Sequence, residues 1–325
     1  MRDNSGKKSE SCKFFFFRSE SASSTVIGTV LLLGIIFSVF SIVWIGYIPE
    51  WKNDAESSHM EDIYKDMADL KSKTDMMSIV LASKANSVYI NSSEPSSSSP
   101  QLVISVPFHM GGGDIPIIGP IKSSGSLAVN KDRCIMSVSV YPNTTNIASY
   151  FKSINCGTVT YNSQNRYYVD QIFSYEGGAL VLEQDNQSVM TLYPSIRFSK
   201  TATNQYNVSI NTVRIFQKPY APPEIISSNT DCFLRLAGLD YRLLHDSKGT
   251  NLNRFVLTVY TKHPEAWKRY LEKAIDEADI SSGEYILESG ESNSVRLTFP
   301  SNSKGINRLY LSETVVKAEP GIGLN

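Results

Sequence analysis

The most distinctive hydrophobic pattern lies near the start of the chain. From Val26 to Ile48 it has 23 residues without a charge. As a helix rising about 1.5 Å per residue, this run crosses the roughly 30 Å hydrocarbon layer of a membrane. It is longer than the apolar region of a cleaved secretory signal, and no small-residue cleavage site follows it. The pattern therefore predicts a retained transmembrane helix at 26–48. Trp44 and Tyr47 are expected at its membrane interface, and Pro49 predicts a kink or break.

The charges on either side predict the orientation of this helix. The residues before it are basic and those just after it are mostly acidic, and basic flanks favour the cytoplasmic side. The two sets are Arg2, Lys7, Lys8, Lys13 and Arg18, and Glu50, Lys52, Asp54 and Glu56. We therefore expect a single-pass protein of the cell membrane, with a cytoplasmic basic leader at 1–25 and an extracellular C-terminal part. Small residues at helical spacing, Gly34, Ser38 and Ser41, permit a second helix to approach but are also common in single anchors.

A second pattern follows, with the period of an amphipathic helix. Apolar positions and one threonine recur at steps of three and four residues: Met60, Ile63, Met67, Leu70, Thr74, Met77 and Leu81. This stripe predicts a stalk helix over 49–90 with one face to bury. Its expected partner is the protein's own β-rich head, and the alternative is a neighbouring copy of the chain.

Beyond a Ser- and Pro-rich linker at 91–100, the pattern changes to short alternating runs separated by Gly, Asn and Pro. Such runs predict strands of an all-β sandwich or barrel. They cover 102–106, 126–129, 134–140, 158–161, 167–173, 179–183, 207–216, 254–260, 285–288, 295–299 and 308–316. Pro222 and Pro223 favour an extended crossing, so we expect a β-rich head at 101–218 and a second β-rich lobe at 219–325. A helix at 264–276 begins at a proline and places Trp267 in the core. The expected fold class is mainly β with N-terminal α.

Composition adds limits rather than a function. The 31 Lys and Arg residues nearly balance 32 Asp and Glu, which gives a net charge of -1 and no field to hold nucleic acid. The 41% of hydrophobic residues suffices for a packed core. The motifs of serine hydrolases, zinc proteases and phosphate-binding loops are missing, and Gly111 to Asp114 fits a turn better than an anion site. His245 and Asp246 form the one adjacent histidine and carboxylate pair, which is too few ligands for a metal. We therefore expect no enzyme activity, catalytic residue, metal or cofactor.

Cysteines and asparagines offer sites for covalent modification outside the cell. Cys12 is expected inside and Cys134, Cys156 and Cys232 outside. Cys134 and Cys156 flank adjacent predicted strands and are the preferred disulfide, with reduced buried thiols as the alternative. Four N-x-[ST] acceptors predict N-glycosylation, of which the last lies in a predicted strand and is the least favourable: Asn91, Asn143, Asn186 and Asn207.

The segment Arg18-Ser19-Glu20-Ser21, followed by the run from Val26 to Ile35, resembles the N-terminal signature of archaeal type IV pilin-like proteins. In that family a prepilin peptidase cuts before the hydrophobic helix, and the freed helix packs with others in a filament. The resemblance implies a cut between Ser19 and Glu20 and implies prepilin peptidase and other pilin-like subunits as partners, beside the lipid bilayer.

Several short segments of the outer part are similar to large pilin-like surface proteins of euryarchaea, including methanogens. These segments are 66–73, 105–107 with 111–113, 124–127, 175–180 and 263–267. That family implies no catalytic activity.

These patterns together favour a non-enzymatic cell-surface structural or adhesion protein. The alternative is a membrane-tethered module that binds glycans or proteins, with tyrosines of the β head stacking on sugars. The candidates for that role are Tyr161, Tyr167 and Tyr168. Binding of glycans by the fragment from residue 101 would separate the two hypotheses.

Overall fold

The computed structural model describes residues 20–90, 102–111, 114–115, 119–120, 123–142, 147–201, 203, 205–248, 252–290, 292–301 and 305–322. The chain divides into two compact units, Met1–Trp51 and Lys52–Asn325. The predicted linker at 91–100 and the leader up to residue 19 lie outside the described residues.

The described part of the first unit, from Glu20 to Trp51, is helical. Helix α1 covers Glu20–Ile42, a π-helical turn covers Val43–Tyr47, and helix α2 starts at Ile48 and ends at Ile90. A kink or break was predicted at Pro49: the regular α-helix is interrupted just before this proline, and Pro49 itself lies in the first turn of α2. In the π-helical turn before it, the N–H of Ile48 donates to the carbonyl of Val43. A π-helical turn adds one residue to a helix, and it is one of the usual causes of an interruption in the regular hydrogen-bond pattern of a helix.

The second unit combines most of α2 with β-strands and one more helix. The strands are β1 Val103–Phe108, β2 Asp114–Ile115, β3 Gly119–Pro120, β4 Ser124–Val129, β5 Ile135–Pro142, β6 Tyr150–Asn155, β7 Thr158–Gln164, β8 Gln171–Glu176, β9 Ala179–Gln184, β10 Gln187–Leu192, β11 Ser195–Lys200, β12 Tyr206–Ile215, β13 Glu224–Ser228, β14 Cys232–Asp246, β15 Leu252–Tyr260, β16 Ile286–Gly290, β17 Ser294–Phe299 and β18 Ile306–Ile322. Helix α3 covers Pro264–Asp276, and a short 3₁₀ turn covers Ser282–Glu284. The protein is predominantly β with N-terminal α, as the sequence predicts.

Two large sheets organise these strands. In the larger sheet the order is β1-β14-β18-β15-β17-β16, with β12 and then β11 joined through β18, and β5 and then β6 joined through β15. The smaller sheet has the order β10-β9-β8-β7-β4-β13. Among the described strands all pairings are antiparallel except that of β12 with β18, which aligns Val208 with Leu309 and Ile215 with Val316. The long strand β18 therefore pairs with neighbours from widely separated parts of the chain.

The larger sheet contributes side chains to two separate cores. Val208 and Ile210 of β12 lie in a first core, which surrounds Trp267 and Phe299. Val213 and Ile215 of the same strand lie in a second core, formed with α2 and the smaller sheet. Successive side chains of a strand point to opposite faces, so residues 210 and 213 must lie on different sides. One strand thus contributes to both cores.

Helix α2 packs on the second core through the stripe seen in the sequence. Ile63, Met67, Leu70 and Met77 are fully buried there, and Thr74 is buried between them. The helix is therefore part of the β unit from Lys52 onward rather than a stalk. The sequence left two partners open for the stripe, the protein's own β-rich head and a neighbouring copy. In the structure the stripe packs against strands of the same chain.

The predicted division into lobes at 218/219 is wrong. After Pro222 and Pro223 the chain forms β13, which returns to the smaller sheet beside β4. The next strand, β14, pairs with β1 in the larger sheet. Both sheets therefore draw strands from both sides of residue 218, because β18 needs β12 on one side and β14 on the other to pair its backbone.

Several strands were not predicted, whereas the helix at 264–276 is confirmed. The additional longer strands are β6, β10, β11, β13 and β14. Helix α3 buries Trp267, Tyr270, Leu271 and Ile275 in the first core. Trp267 is fully buried, as expected for a core residue.

The packing of α2 can be tested with a pair of apolar positions on the same helix. Leu70 is fully buried, whereas Met76 is 55% exposed. We expect Leu70→Ala to lower the free energy of unfolding by about 2–5 kcal/mol, because it leaves a cavity in the second core. Met76→Ala should change it by less than about 0.5 kcal/mol. Urea unfolding of the detergent-solubilised protein, followed by circular dichroism, measures both, and equal effects would contradict the packing.

Candidate functional site

The first candidate site is the apolar helix itself. Within Ser24–Ala85, an 18-residue window has mean hydropathy 2.7, and none of its residues is buried. Among the described residues this is the one helix long and apolar enough to cross a membrane. Large side chains such as Leu31, Ile35 and Phe37 are more than half exposed. Such a continuous apolar surface is costly in water and marks a contact with lipid or protein.

The few polar side chains of α1 are satisfied within the helix. The hydroxyl of Thr29 donates to the carbonyl of Val26 at 2.9 Å, that of Ser38 to Ile35 at 2.8 Å, and that of Ser41 to Phe37 at 2.7 Å. A hydroxyl bonded to its own helix needs no water, so these residues are compatible with an apolar surrounding. The face of Gly34, Ser38 and Ser41 is exposed, and nothing lies within 4 Å of a Cβ added at Gly34.

Aromatic residues follow the helix at its C-terminal side. Trp44 is 58% exposed and stacks on Phe40 with ring centroids 6.0 Å apart, and Tyr47 is 50% exposed. Exposed Trp and Tyr rings are typical of the zone between hydrocarbon and headgroups. Their positions agree with the interface predicted there.

A buried carboxylate fixes the start of the second unit. Glu56 of α2 is fully buried, and its Oε2 accepts from the backbone N–H groups of Tyr167 at 2.7 Å and Tyr168 at 2.8 Å. The N–H of Arg166 is 3.1 Å from both carboxylate oxygens. Three backbone N–H donors therefore satisfy the acceptor capacity of this buried carboxyl group. The contact holds residues 166–168 as a loop, which is why the strand predicted from Tyr167 begins only at Gln171.

Two histidines, His59 and His109, take part in further polar contacts of α2. Asp66 Oδ2 accepts from the backbone N–H and from Nδ1 of His109, both at 2.9 Å. Burial raises the pKa of Asp66 although the bonds to His109 oppose this, and the bond to Asp66 raises the pKa of His109. His59 lies 3.3 Å from the hydroxyl of Tyr161, and burial lowers the pKa of His59. The partners are 43 and 102 residues apart in the chain, so spacing in the sequence could not reveal them.

The most perturbed carboxyl lies in the first core. Glu176 ends β8, and its Oε1 accepts from the hydroxyl of Thr261 and from Nε1 of Trp267, each at 2.7 Å. Its other oxygen has no partner among the described residues. Burial raises the pKa of Glu176 to about 7, more than these two bonds lower it. The carboxyl is 1% exposed, so it holds α3 against the sheet rather than facing a substrate.

The remaining histidines do not form a metal site. His245 stacks on Tyr150 with ring centroids 4.6 Å apart, while its neighbour Asp246 forms two bonds with Arg308, at 2.9 and 2.8 Å. His263 is buried, with Nδ1 3.6 Å from Glu183. In the described part of the chain, no group of three or more His, Cys, Asp or Glu residues could hold a metal ion.

The cysteines preferred for a disulfide are neighbours in the structure. The N–H of Cys156 donates to the carbonyl of Cys134 at 2.8 Å, across the end of the β5 and β6 pair. Both thiols are free and fully buried, and Cys232 is free and buried elsewhere. The disulfide between Cys134 and Cys156 stays a prediction. Cys12 lies outside the described residues.

The other predicted modification sites differ in accessibility. Asn186 is exposed in the turn between β9 and β10, as a glycosylation acceptor requires. Asn207 is half-buried in β12, and its Oδ1 accepts from Asn307 at 2.7 Å. Asn91, Asn143 and Ser19 lie outside the described residues, and Glu20 is the first residue of α1.

The tyrosines proposed for sugar binding do not share an exposed face. Tyr161 is fully buried in the second core. Tyr168 is half-buried and packs against that core. Tyr167 is 43% exposed, but the ammonium of Lys52 lies 4.7 Å from its ring centroid and bonds its hydroxyl. These three residues form no stacking platform.

Fold and candidate site define the class: a mainly β protein with one apolar N-terminal helix able to span a membrane. Residues 122–319 match DUF7289, a family of unknown function, and the chain belongs to that family. The match covers most of the β unit and leaves out the apolar helix. No curated protein and no solved structure matches the chain.

The raised pKa of Glu176 predicts a pH dependence of stability. The folded pKa of about 7 lies above the ordinary value of 4.5, so the folded state binds the proton more tightly. Between these pH values the contribution of Glu176 falls as the pH rises, by about 3 kcal/mol in all. Glu176→Gln keeps the acceptor for Trp267 and cannot ionise, so its stability relative to wild type should increase from pH 5 to pH 8.

Urea unfolding at a series of pH values measures this difference. The exposed Glu288 of β16 provides the control, and Glu288→Gln should follow the wild-type curve. A constant difference between Glu176→Gln and wild type across the range would show that burial does not perturb this carboxyl.

Proposed function

We propose that the protein is a non-enzymatic structural or adhesion protein of the cell surface, held in the membrane by its N-terminal helix. The observation that carries this proposal is the exposed apolar surface of α1, which has mean hydropathy 2.7 and no buried residue in its central window. Lipid removes such a surface from water at a gain of roughly 0.3–0.6 kcal/mol for each central Leu, Ile, Phe or Val.

The charges around the helix support an outward-facing β unit. Basic residues precede the apolar run and acidic residues follow it, which favours a cytoplasmic N-terminus. The exposed turn at Asn186 then lies outside, where N-glycosylation takes place. In this orientation the β unit is the part of the protein that meets the surroundings of the cell.

The use of the buried ionisable groups supports a structural role. Glu56 holds a loop, Asp66 holds His109, and Glu176 holds Trp267 and Thr261. Each carboxylate is occupied by a contact between elements of the fold. All three residues are buried, so we assign them to stability.

The pilin-like part of the proposal rests on the N-terminal segment. The signature from Arg18 to Ile35 and the exposed small face at Gly34, Ser38 and Ser41 suit a helix that packs beside its copies in an apolar medium. The partners of this site are then the lipid bilayer, a prepilin peptidase and other pilin-like subunits.

Charges placed inside the apolar helix test the proposal. Leu32→Lys together with Ile35→Lys should cost about 5–7 kcal/mol of insertion, at about 2.5–3.5 kcal/mol for each central lysine. We expect this variant to lose most of its membrane retention, measured by quantitative immunoblotting of membrane and soluble fractions. Full retention in the membrane fraction would contradict anchoring by α1.

The matched control is Leu32→Val with Ile35→Val, which keeps both positions apolar and should remain in the membrane. The intact mass of the retained wild-type protein tests the pilin-like part separately. A mature chain that begins at Glu20 supports processing by a prepilin peptidase, whereas a chain that keeps residues 1–19 contradicts it.

A further inference from the structure

A cleft of about 460 Å³ lies between the C-terminal half of α2 and the strands β11, β12, β18 and β14. It belongs entirely to the second unit, and none of the residues singled out in the sequence as a binding site lines it. On the helix side, Asp75, Ser78, Ile79 and Ala82 follow one another at the spacing of a single helix face. The residues on the other side come from four strands of the larger sheet and from Gly178, in the turn between β8 and β9.

The sheet wall is a regular array of polar side chains. Arg197 of β11 stands opposite Ser209 of β12, which stands opposite Tyr310 of β18. Two residues further along β12, on the same face of the sheet, Asn211 stands opposite Ser312. Since neighbouring strands are about 4.8 Å apart, the row from Arg197 to Tyr310 is about 10 Å wide. A wall of this width accommodates more than one small ring.

Most hydrogen-bonding capacity left on this wall is donor capacity. Arg197 is exposed and makes no ion pair or hydrogen bond within the described part of the chain. The Oδ1 atom of Asn211 accepts from Ser312, which leaves the amide N–H groups of Asn211. The hydroxyls of Tyr241 and Tyr310 are 2.6 Å apart, so one proton is shared between them and the other can be donated outward. A ligand rich in acceptors matches this wall.

The charge of the cleft is positive where Arg197 stands. The carboxylate of Asp75 on the helix wall is paired with Lys71, whose Nζ is 2.6 Å away. The carboxylate of Asp246, beside Tyr310 in the strand register, is paired with Arg308. Arg197 therefore remains the uncompensated charge, and its planar guanidinium binds a carboxylate through two parallel bonds.

The helix wall supplies an apolar surface. Ile79 is 71% exposed, Ala82 lies one turn beyond it, and the hydroxyl of Ser78 is used in a bond to the carbonyl of Thr74. A pyranose ring has an apolar face of C–H groups and a rim of hydroxyl acceptors and donors. The apolar helix wall suits the C–H face of the ring, and the donor-rich sheet wall suits its hydroxyl rim.

We propose that this cleft binds an acidic saccharide, whose carboxylate pairs with Arg197 and whose hydroxyls bond Asn211 and the Tyr241 and Tyr310 pair. This activity goes beyond membrane anchoring and gives the β unit a ligand at the cell surface. It uses different residues from the tyrosines considered in the sequence.

Calorimetric titration of the full-length protein in detergent micelles tests the proposal with three probes. Digalacturonate supplies a saccharide with carboxylates, α-1,4-galactobiose supplies the same ring and linkage without charge, and sulfate supplies an anion alone. We expect digalacturonate to bind more tightly than the other two. Arg197→Gln should weaken its binding about tenfold to a hundredfold, as the loss of bonds to a charged group does.

The matched control is Arg214→Gln, because Arg214 lies on β12 with its side chain on the face opposite to Ser209 and Asn211. This variant should bind digalacturonate as wild type does. Tyr310→Phe keeps the ring and removes one hydroxyl, and it should weaken binding of the saccharide but not of sulfate.

Three outcomes would overturn the proposal. These are no binding of digalacturonate, binding that Arg197→Gln leaves unchanged, and sulfate binding as tight as digalacturonate, which would make the cleft a simple anion site. Because Arg197 is exposed, circular dichroism should show a folded Arg197→Gln variant. Binding in micelles is independent of retention in the membrane, so this test and that of the anchor fail or succeed separately.

Discussion

The exposed apolar surface of α1 is the constraint on which the rest of the account depends. Side chains from Val26 to Ile42 are exposed in the described part of the chain, and the hydroxyls of Ser38 and Ser41 bond carbonyls of their own helix. A helix of this kind is stable where hydrocarbon surrounds it, because every backbone polar group is satisfied internally. The proposed location of the β unit, the proposed saccharide ligand of its cleft and the predicted glycosylation at Asn186 all depend on where that surface is buried.

In the second unit, the long helix α2 packs on one face of the larger sheet, and the first core covers the other face. The apolar stripe around Met67 and Leu70 provides burial, and three acidic side chains of the unit provide specific contacts. Glu56 and Asp66 tie α2 to loops, and Glu176 ties α3 to the smaller sheet. Buried carboxylates are costly unless each receives donors, so these contacts fix the positions of the helices as well as stabilise them.

The sequence was informative wherever one side of an element decides its burial. The stripe on α2 and the amphipathic helix at 264–276 were predicted because their periodicity depends only on local spacing, and the helix at 26–48 was predicted from the length of its uncharged run. Strands such as β14 were missed because their burial changes along their length: Leu234 and Leu236 are buried, whereas Leu239 and Leu243 are exposed. No single alternation of apolar and polar residues along the sequence describes such a strand.

The candidate sites were harder to predict than the elements. The contacts of Glu56, Asp66 and Glu176 join residues more than 40 positions apart, and the array from Arg197 to Tyr310 exists only through the parallel pairing of β12 and β18. The division at 218/219 failed for the same reason, because a proline-rich crossing says nothing about which sheet the chain joins next. Long-range strand pairing decides all of these features, and local patterns do not encode it.

Accessibility of the β unit from outside the cell is the most direct test of the account. A recognition sequence for a specific protease, inserted in the exposed turn at Asp185 and Asn186, should be cut when the protease is added to intact cells. A cytoplasmic protein that carries the same sequence should be cut only after lysis. If the inserted site stays intact until lysis, the β unit lies inside the cell and the account is wrong.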